Sequence, residues 1–173
     1  VTGDQIEALA SGQIDAGLLR PPIARPEFAT RRVVAEPLCA ALPRRHRLAS
    51  AETVSIRDFD GQPFIMYSQI EARYFHDLLV SQFMRAEVLP RYVQHLSQIH
   101  SILAMVRAGL GLAIVPEAAS SLKIADVRLR PLKLRNPTPA ELFLVWRRDH
   151  DNPLLPALVE IAGGLAALRQ ADD

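Results

Sequence analysis

The sequence of 173 residues holds one cysteine, Cys39, so no disulfide can form within the chain and a disulfide-stapled scaffold is excluded. Cys39 stands in the apolar run LCAAL with no base beside it. It reads as a small buried hydrophobe rather than a nucleophile, in keeping with a reducing compartment. No apolar stretch reaches the roughly 18 residues that a membrane span needs. The opening VTGDQIEAL has no basic stretch followed by an apolar core, the pattern of a signal peptide. Charge of one sign is also lacking: 20 basic against 19 acidic residues leave a net charge of +1. Such a balance gives no nucleic-acid-binding surface by composition alone.

The motifs of common chemistries are missing as well. Gly109 and Gly111 do not extend to G-x-G-x-x-G, because position 114 is Ile. There is no G-x-S-x-G elbow and no G-x-x-x-x-G-K loop. His95 and His100 lie close in sequence, but no Cys, Asp or Glu completes a metal set at ligand spacing. The chain is therefore expected to carry no catalytic residue, no metal and no cofactor. The basic loop Arg44 to Arg47 has no glycine-rich cradle and reads as a solvated turn.

What is present is the composition of a folded domain, with 49% hydrophobic and 23% charged residues. The pattern alternates helix and strand. Thr2 and Gln5 form the T-x-x-Q of a capping box, Ile6 and Leu9 share a helical face, and Gly12 ends the helix. Strands are expected over Ile14 to Leu19, over Arg31 to Leu42 with a break at Pro37, and over Pro63 to Tyr67. Ser55 and Asp58 form a second capping box. A helix is expected from Glu71 to Met84, where Tyr74, Phe75, Leu78, Leu79, Gln82 and Phe83 make a broad apolar stripe. Arg91 to His95 reads as a strand, and Ser97 caps a helix over Gln98 to Ala108. Strands at Val127 to Leu132 and Leu142 to Arg147 precede a last helix, Leu154 to Leu168.

The most informative segment is VRAGLGLAIVP, Val106 to Pro116. Gly109 can take the left-handed conformation that closes a helix, Gly111 permits a tight second bend, and a β-branched strand follows. Alternating strands and helices predict an α/β fold with parallel sheets. Gly61 to Pro63 and Asn136 to Pro139 mark the crossings between two lobes, residues 1–61 with 141–173 and residues 62–140.

In this order the pieces resemble the effector-binding domain of LysR-type transcriptional regulators. The resemblance rests on the pattern Gln5, Leu9, Gly12, Asp15, Gly17, on PLCAALPRRHRLA, on PFIMY, and on VRAGLGLAIVP followed by LFLVWRRD and a terminal helix. It covers essentially the whole chain. Arg47 departs from the proline common after the loop histidine, which affects a turn. From the opening on a helix cap without an initiator methionine, the sequence is expected to be a fragment that lacks the family's DNA-binding winged helix-turn-helix.

The resemblance implies two Rossmann-like lobes of the periplasmic-binding-protein type 2 fold, with a small effector between them. The spacing is similar to the branch that senses aromatic-degradation intermediates. There, Thr2, Arg31, Ile99, His100 and Ser101 would line the effector site. Tyr67 and Ser68 join them as residues at the carboxyl end of a strand, where open α/β sheets take ligands. Helix N-termini at Thr2 and at Ser97 to Ser101 suit a carboxylate, and the Arg31 guanidinium could pair with one. The resemblance also implies a cytoplasmic homodimer, extended to a tetramer in a full-length regulator. Its lobe helices would pair through Ile6, Leu9, Phe75, Leu78, Leu79 and Gln82, and DNA would be held only by the absent domain. The alternative is a solute-binding protein of a transport system, which would share the fold.

Overall fold

A computed structural model describes the backbone of residues 2–171 and the side chains of residues 3–164. In chain order the elements are α1 (Thr2–Ala10), β1 (Ala16–Leu19), β2 (Phe28–Glu36), β3 (Leu38–Pro43), β4 (Val54–Ser55), β5 (Pro63–Tyr67) and α2 (Arg73–Ala86). They continue with β6 (Arg91–Leu96), α3 (Ile99–Arg107), β7 (Ala113–Pro116), β8 (Val127–Lys133), β9 (Ala140–Arg147) and α4 (Leu155–Ala171). Three short 3-10 turns follow β3, β4 and β7.

The chain forms two compact units, Val1–Ala35 with Glu141–Asp173, and Glu36–Ala140. The first junction falls at 35/36, not at 61/62 as the glycine and proline near Gly61 suggest. The reason lies in pairing. Pro37 interrupts the extended chain, and β3 then pairs antiparallel with β7 and β8, so residues 38–61 belong to the second unit.

In unit 1 the sheet order is β1-β9-β2. Alternation along β9 sorts its side chains between two faces. Phe143 and Val145 pack with Leu9, Leu19 and Phe28 on the α1 side. Leu142, Leu144 and Trp146 pack with Val33, Val159 and Ala162 on the α4 side.

Unit 2 contains a four-stranded sheet, β4-β8-β3-β7, and the parallel pair β5-β6. β5-β6 and β4-β8 pair in parallel, as does a bridge from Phe64 to Leu112. The β1-β9, β3-β7 and β3-β8 pairs are antiparallel. The expectation of parallel sheets therefore holds only in part. Strand and helix alternation does not reveal which strands are returns from a crossing, and those pair antiparallel.

One continuous core fills unit 2, with Phe59, Phe64 and Phe83 in edge-to-face and tilted contact at centroid separations of 5.2 to 6.3 Å. Gly109 closes α3 at φ +77°, and its N–H donates to the Val106 carbonyl at 2.9 Å. Gly111 serves close packing rather than a left-handed bend. A Cβ there would sit 3.0 Å from the Pro63 carbonyl oxygen. That carbonyl accepts from the Leu112 N–H at 2.8 Å, which ties the glycine segment to β5.

Candidate functional site

In unit 2 most of the expected residues gather at one corner, the carboxyl ends of two parallel strands. The β5-β6 register sets Tyr67 opposite Leu96, and the Ser68 N–H donates to the Leu96 carbonyl at 2.9 Å. The end of β5 is thereby held beside the short link from β6 into α3. Ser68 is half-buried, and its Oγ accepts from the Glu71 N–H at 3.3 Å, so it turns the chain toward α2.

The start of α3 supplies unused donors. The Ile102 N–H donates to the Gln98 carbonyl at 3.0 Å, which leaves the N–H groups of Ile99, His100 and Ser101 without an acceptor inside the helix. The N-cap is Gln98, and no side-chain hydrogen bond caps it. Ser97 was expected to cap this helix and does not. The extended backbone at Gln98 starts the helix one residue later. Ser101 is half-buried, Ile99 packs partly against the core, and His100 is exposed. Three N–H groups at a positive helix end, beside a serine hydroxyl, make a geometry suited to an oxyanion.

Tyr67 sits apart from this corner in its surroundings. It is 1% exposed, and its ring stacks on Phe75 at 4.7 Å with 21° between the planes. The aromatic face is core.

In unit 1, Arg31 lies on β2 with its guanidinium over Gly163 of α4, where a Cβ would collide with it. Its neighbour Arg32 pairs with the Glu141 carboxylate at 3.0 Å. The side chain of Thr2, expected both to cap α1 and to meet an effector, lies outside the described residues. Sequence reasoning passed over Arg20. It follows directly on the carboxyl end of β1, is half-buried, and its Nη1 donates to the Glu141 carbonyl at 2.8 Å. A charged residue closing the short D-x-G-x-x-R strand was the signal that could have singled it out.

The expected interface residues divide in the same way. Leu9, Leu79 and Gln82 are 0%, 1% and 4% exposed and belong to the cores of their own units. The Gln82 amide donates to Thr138 Oγ1 at 2.9 Å. Ile6, Phe75 and Leu78 are half-buried. The stripe on α2 is thus largely a core face, and the exposed apolar side chains at its carboxyl end are Met84, at 74%, and Leu89, at 82%.

A pocket of about 270 Å³ elsewhere in unit 2, walled by Leu103, Ser120, Lys123 and Arg128, contains none of the expected residues. Among the described residues no group of three His, Cys, Asp or Glu is placed to hold a metal ion. No helix among them is long and apolar enough to cross a membrane.

Residues 1–166 match the LysR substrate binding domain. The chain belongs to that family. The HTH-type transcriptional regulator IlvR of Caulobacter vibrioides is 35% identical over 161 residues, which is 91% of this chain and 53% of that protein. The effector binding domain of BenM, solved with its effector benzoate, aligns with a TM-score of 0.83 at 21% identity, covering 98% of this chain and 77% of that one. The effector binding domain of QuiR in complex with shikimate aligns at 0.79 and 17% identity, covering 96% and 76%. The α/β fold is therefore that of LysR effector-binding domains, the two-lobed periplasmic-binding-protein type 2 class. The family and the matched relatives are transcriptional regulators, not enzymes, which favours the regulator reading over the transport alternative. The chain spans about half the length of the curated relatives it matches.

Proposed function

We propose that this LysR domain senses a small carboxylate and that the start of α3 with Ser68 is where unit 2 receives it. The observation that carries this reading is the set of free N–H groups of Ile99, His100 and Ser101 at an uncapped helix end, set by the Ser68–Leu96 bond beside a hydroxyl. A carboxylate there satisfies donors that otherwise face water, and it meets the positive end of the helix dipole. The benzoate of BenM and the shikimate of QuiR are both carboxylates, which supports the class and leaves the identity to experiment. Tyr67 contributes through its backbone and its packing on Phe75.

The parent protein is then a cytoplasmic regulator in which effector binding shifts the population of assembled states, and a DNA-binding domain outside this chain reports the shift. Two copies pair through α1 of one and the outer face of α2 and β6 of the other. α1 exposes Asp4 and Glu7, while the opposing face exposes Met84 and Leu89 among mixed charges, Arg73, Arg85 and Arg91 with Glu71, Asp77 and Glu87. In a two-fold dimer each contact occurs twice. Sedimentation of Met84→Asp should show a monomer, whereas an unchanged dimer would remove this interface.

Thermal shift against aromatic and aliphatic carboxylates tests the sensing claim. Stabilisation should rise with ligand concentration and fall in Ser68→Ala. A response confined to neutral ligands would overturn the carboxylate assignment.

A further inference from the structure

The pocket of about 270 Å³ in unit 2 lies between β8 and the 3-10 turn Glu117–Leu122. Leu103, Ile124 and Leu129 give it apolar walls, and Ser120, Lys123 and Arg128 give it polar ones. The Lys123 N–H donates to the Ser120 carbonyl at 3.3 Å, which closes the turn and sets these two residues on one wall. Arg130 also borders the pocket, but its guanidinium is engaged by the Ala49 carbonyl, at 2.7 and 3.0 Å. Lys123 and Arg128 are different. Among the described residues neither forms an ion pair, and no carboxylate lines the pocket. Asp126, which stands between them in sequence, is held by the basic loop: the Arg44 N–H donates to its carbonyl at 2.8 Å, and Arg44 Nη1 reaches its carboxylate at 3.5 Å.

An open strand edge adds a neutral donor. β3 pairs with β8 along Val127 to Pro131, whereas β4 on the other side reaches only Leu132 and Lys133. One step beyond the Pro43–Val127 pair, Arg44 bonds to Asp126. Bonded and non-bonded pairs alternate along an antiparallel ladder, so Arg128 and Arg130 turn their backbone groups to β3 and Leu129 turns its N–H to the open edge. Pro131, which has no N–H to give, falls in the same outward set. Four consecutive β8 residues, 127–130, line the pocket although their side chains alternate between faces, as a cavity against a strand's edge requires. We propose that this pocket binds a phosphate group, free or carried by a small organic molecule, with Lys123 and Arg128 supplying charge and the Leu129 N–H and Ser120 hydroxyl supplying directed hydrogen bonds. Two cations without carboxylate partners suit a dianion better than a monocarboxylate. The volume lies below the roughly 300–1,000 Å³ of pockets for drug-sized ligands, so the organic remainder is short. The pocket shares no residue with the carboxylate corner and does not rest on that reading.

The test is calorimetric titration of this chain, at fixed ionic strength, with inorganic phosphate, with glycerol 3-phosphate and with glycerol, together with amide nuclear magnetic resonance. Both phosphates should bind saturably and shift the Leu129 amide, and glycerol should do neither. Tighter binding of glycerol 3-phosphate would point to an organic phosphate as the source, and tighter binding of the inorganic ion to free phosphate. Lys123→Gln and Arg128→Gln should each weaken binding at least about tenfold, the loss of one charged hydrogen bond. Arg45→Gln, which removes an exposed cation of the neighbouring loop outside the pocket, and Ser68→Ala should leave it unchanged. Absence of saturable binding would overturn the proposal. So would an equal loss in Arg45→Gln, which would mark diffuse charge, or a loss in Ser68→Ala, which would move the phosphate to the carboxylate corner.

Discussion

The two units pack their apolar residues differently. Unit 2 has one continuous core in which Phe59, Phe64, Phe83, Ile102, Val106 and Ile114 are all close to fully buried. Unit 1 divides its apolar residues between two small clusters on either side of a three-stranded sheet, and it leaves Leu18 and Ile161 exposed. A small apolar cluster contributes few contacts per residue. Among the described residues of unit 1, the hydrogen bonds of Arg20 and Arg32 to Glu141 add to this thinner packing.

Substitutions separate the two. Phe83→Ala should cost about 3–5 kcal/mol, because it opens a cavity beside the rings of Phe59 and Phe64. Leu9→Ala should cost about 2 kcal/mol, nearer the lower end for core truncations, since its cluster can collapse more easily. Denaturant unfolding should show the first change as a loss in the unit 2 transition and the second as a loss in unit 1. Equal costs would mean that the difference in packing has no energetic weight.

Glycines give a second contrast. Gly111→Ala should destabilise by about 1–3 kcal/mol, because the Cβ meets the backbone of Pro63 and Leu112 pairs with that same carbonyl. Gly164→Ala, on α4 with open space where its Cβ would go, should stabilise the helix by about 0.5–1 kcal/mol. Melting curves of the two variants should move in opposite directions. Gly109→Ala lies between them, at about 1–2 kcal/mol, as the left-handed backbone there is strained for a residue with a Cβ.

The smallest effect concerns Cys39. Burial pushes its thiol up to about 11, with Glu117 and Glu36 adding repulsion. A thiol-reactive dye at about pH 8 should label the native protein far more slowly than the unfolded chain. The folded value lies above the unfolded one, so this thiol stabilises the fold below its ordinary range. That contribution is lost as pH rises through it toward 11. Rapid labelling of native protein would show that the β3 region opens more readily than its burial implies.

Much of the fold was legible in the residues. The strand PFIMY and the Ser55–Asp58 box were legible because propensity, turn chemistry and hydrophobic pattern agree within a few residues. The box appears with Ser55 Oγ accepting from the Arg57 N–H and Asp58 from the Ser55 N–H. Gly109 was legible as a helix stop for the same reason. The junction at 35/36 was not, since a strand that leaves one sheet for another keeps the same local composition. The direction of β1, β7, β8 and β9 relative to their partners was hidden for a related cause, because pairing is set by tertiary position. At the candidate site, Ser68 and the start of α3 could be named from sequence. The burial of Tyr67, Leu79 and Gln82 could not, because an apolar stripe reads alike whether it faces a core or a partner.

The central claim is that α3 offers its first N–H groups to a carboxylate. The most direct measurement is an amide nuclear magnetic resonance titration of this chain with benzoate and, separately, with its neutral methyl ester. The account predicts saturable shifts centred on Ile99, His100, Ser101 and Ser68 with the acid and much weaker ones with the ester. Shifts of equal size with both ligands, or shifts from the acid confined to residues away from α3, would contradict it.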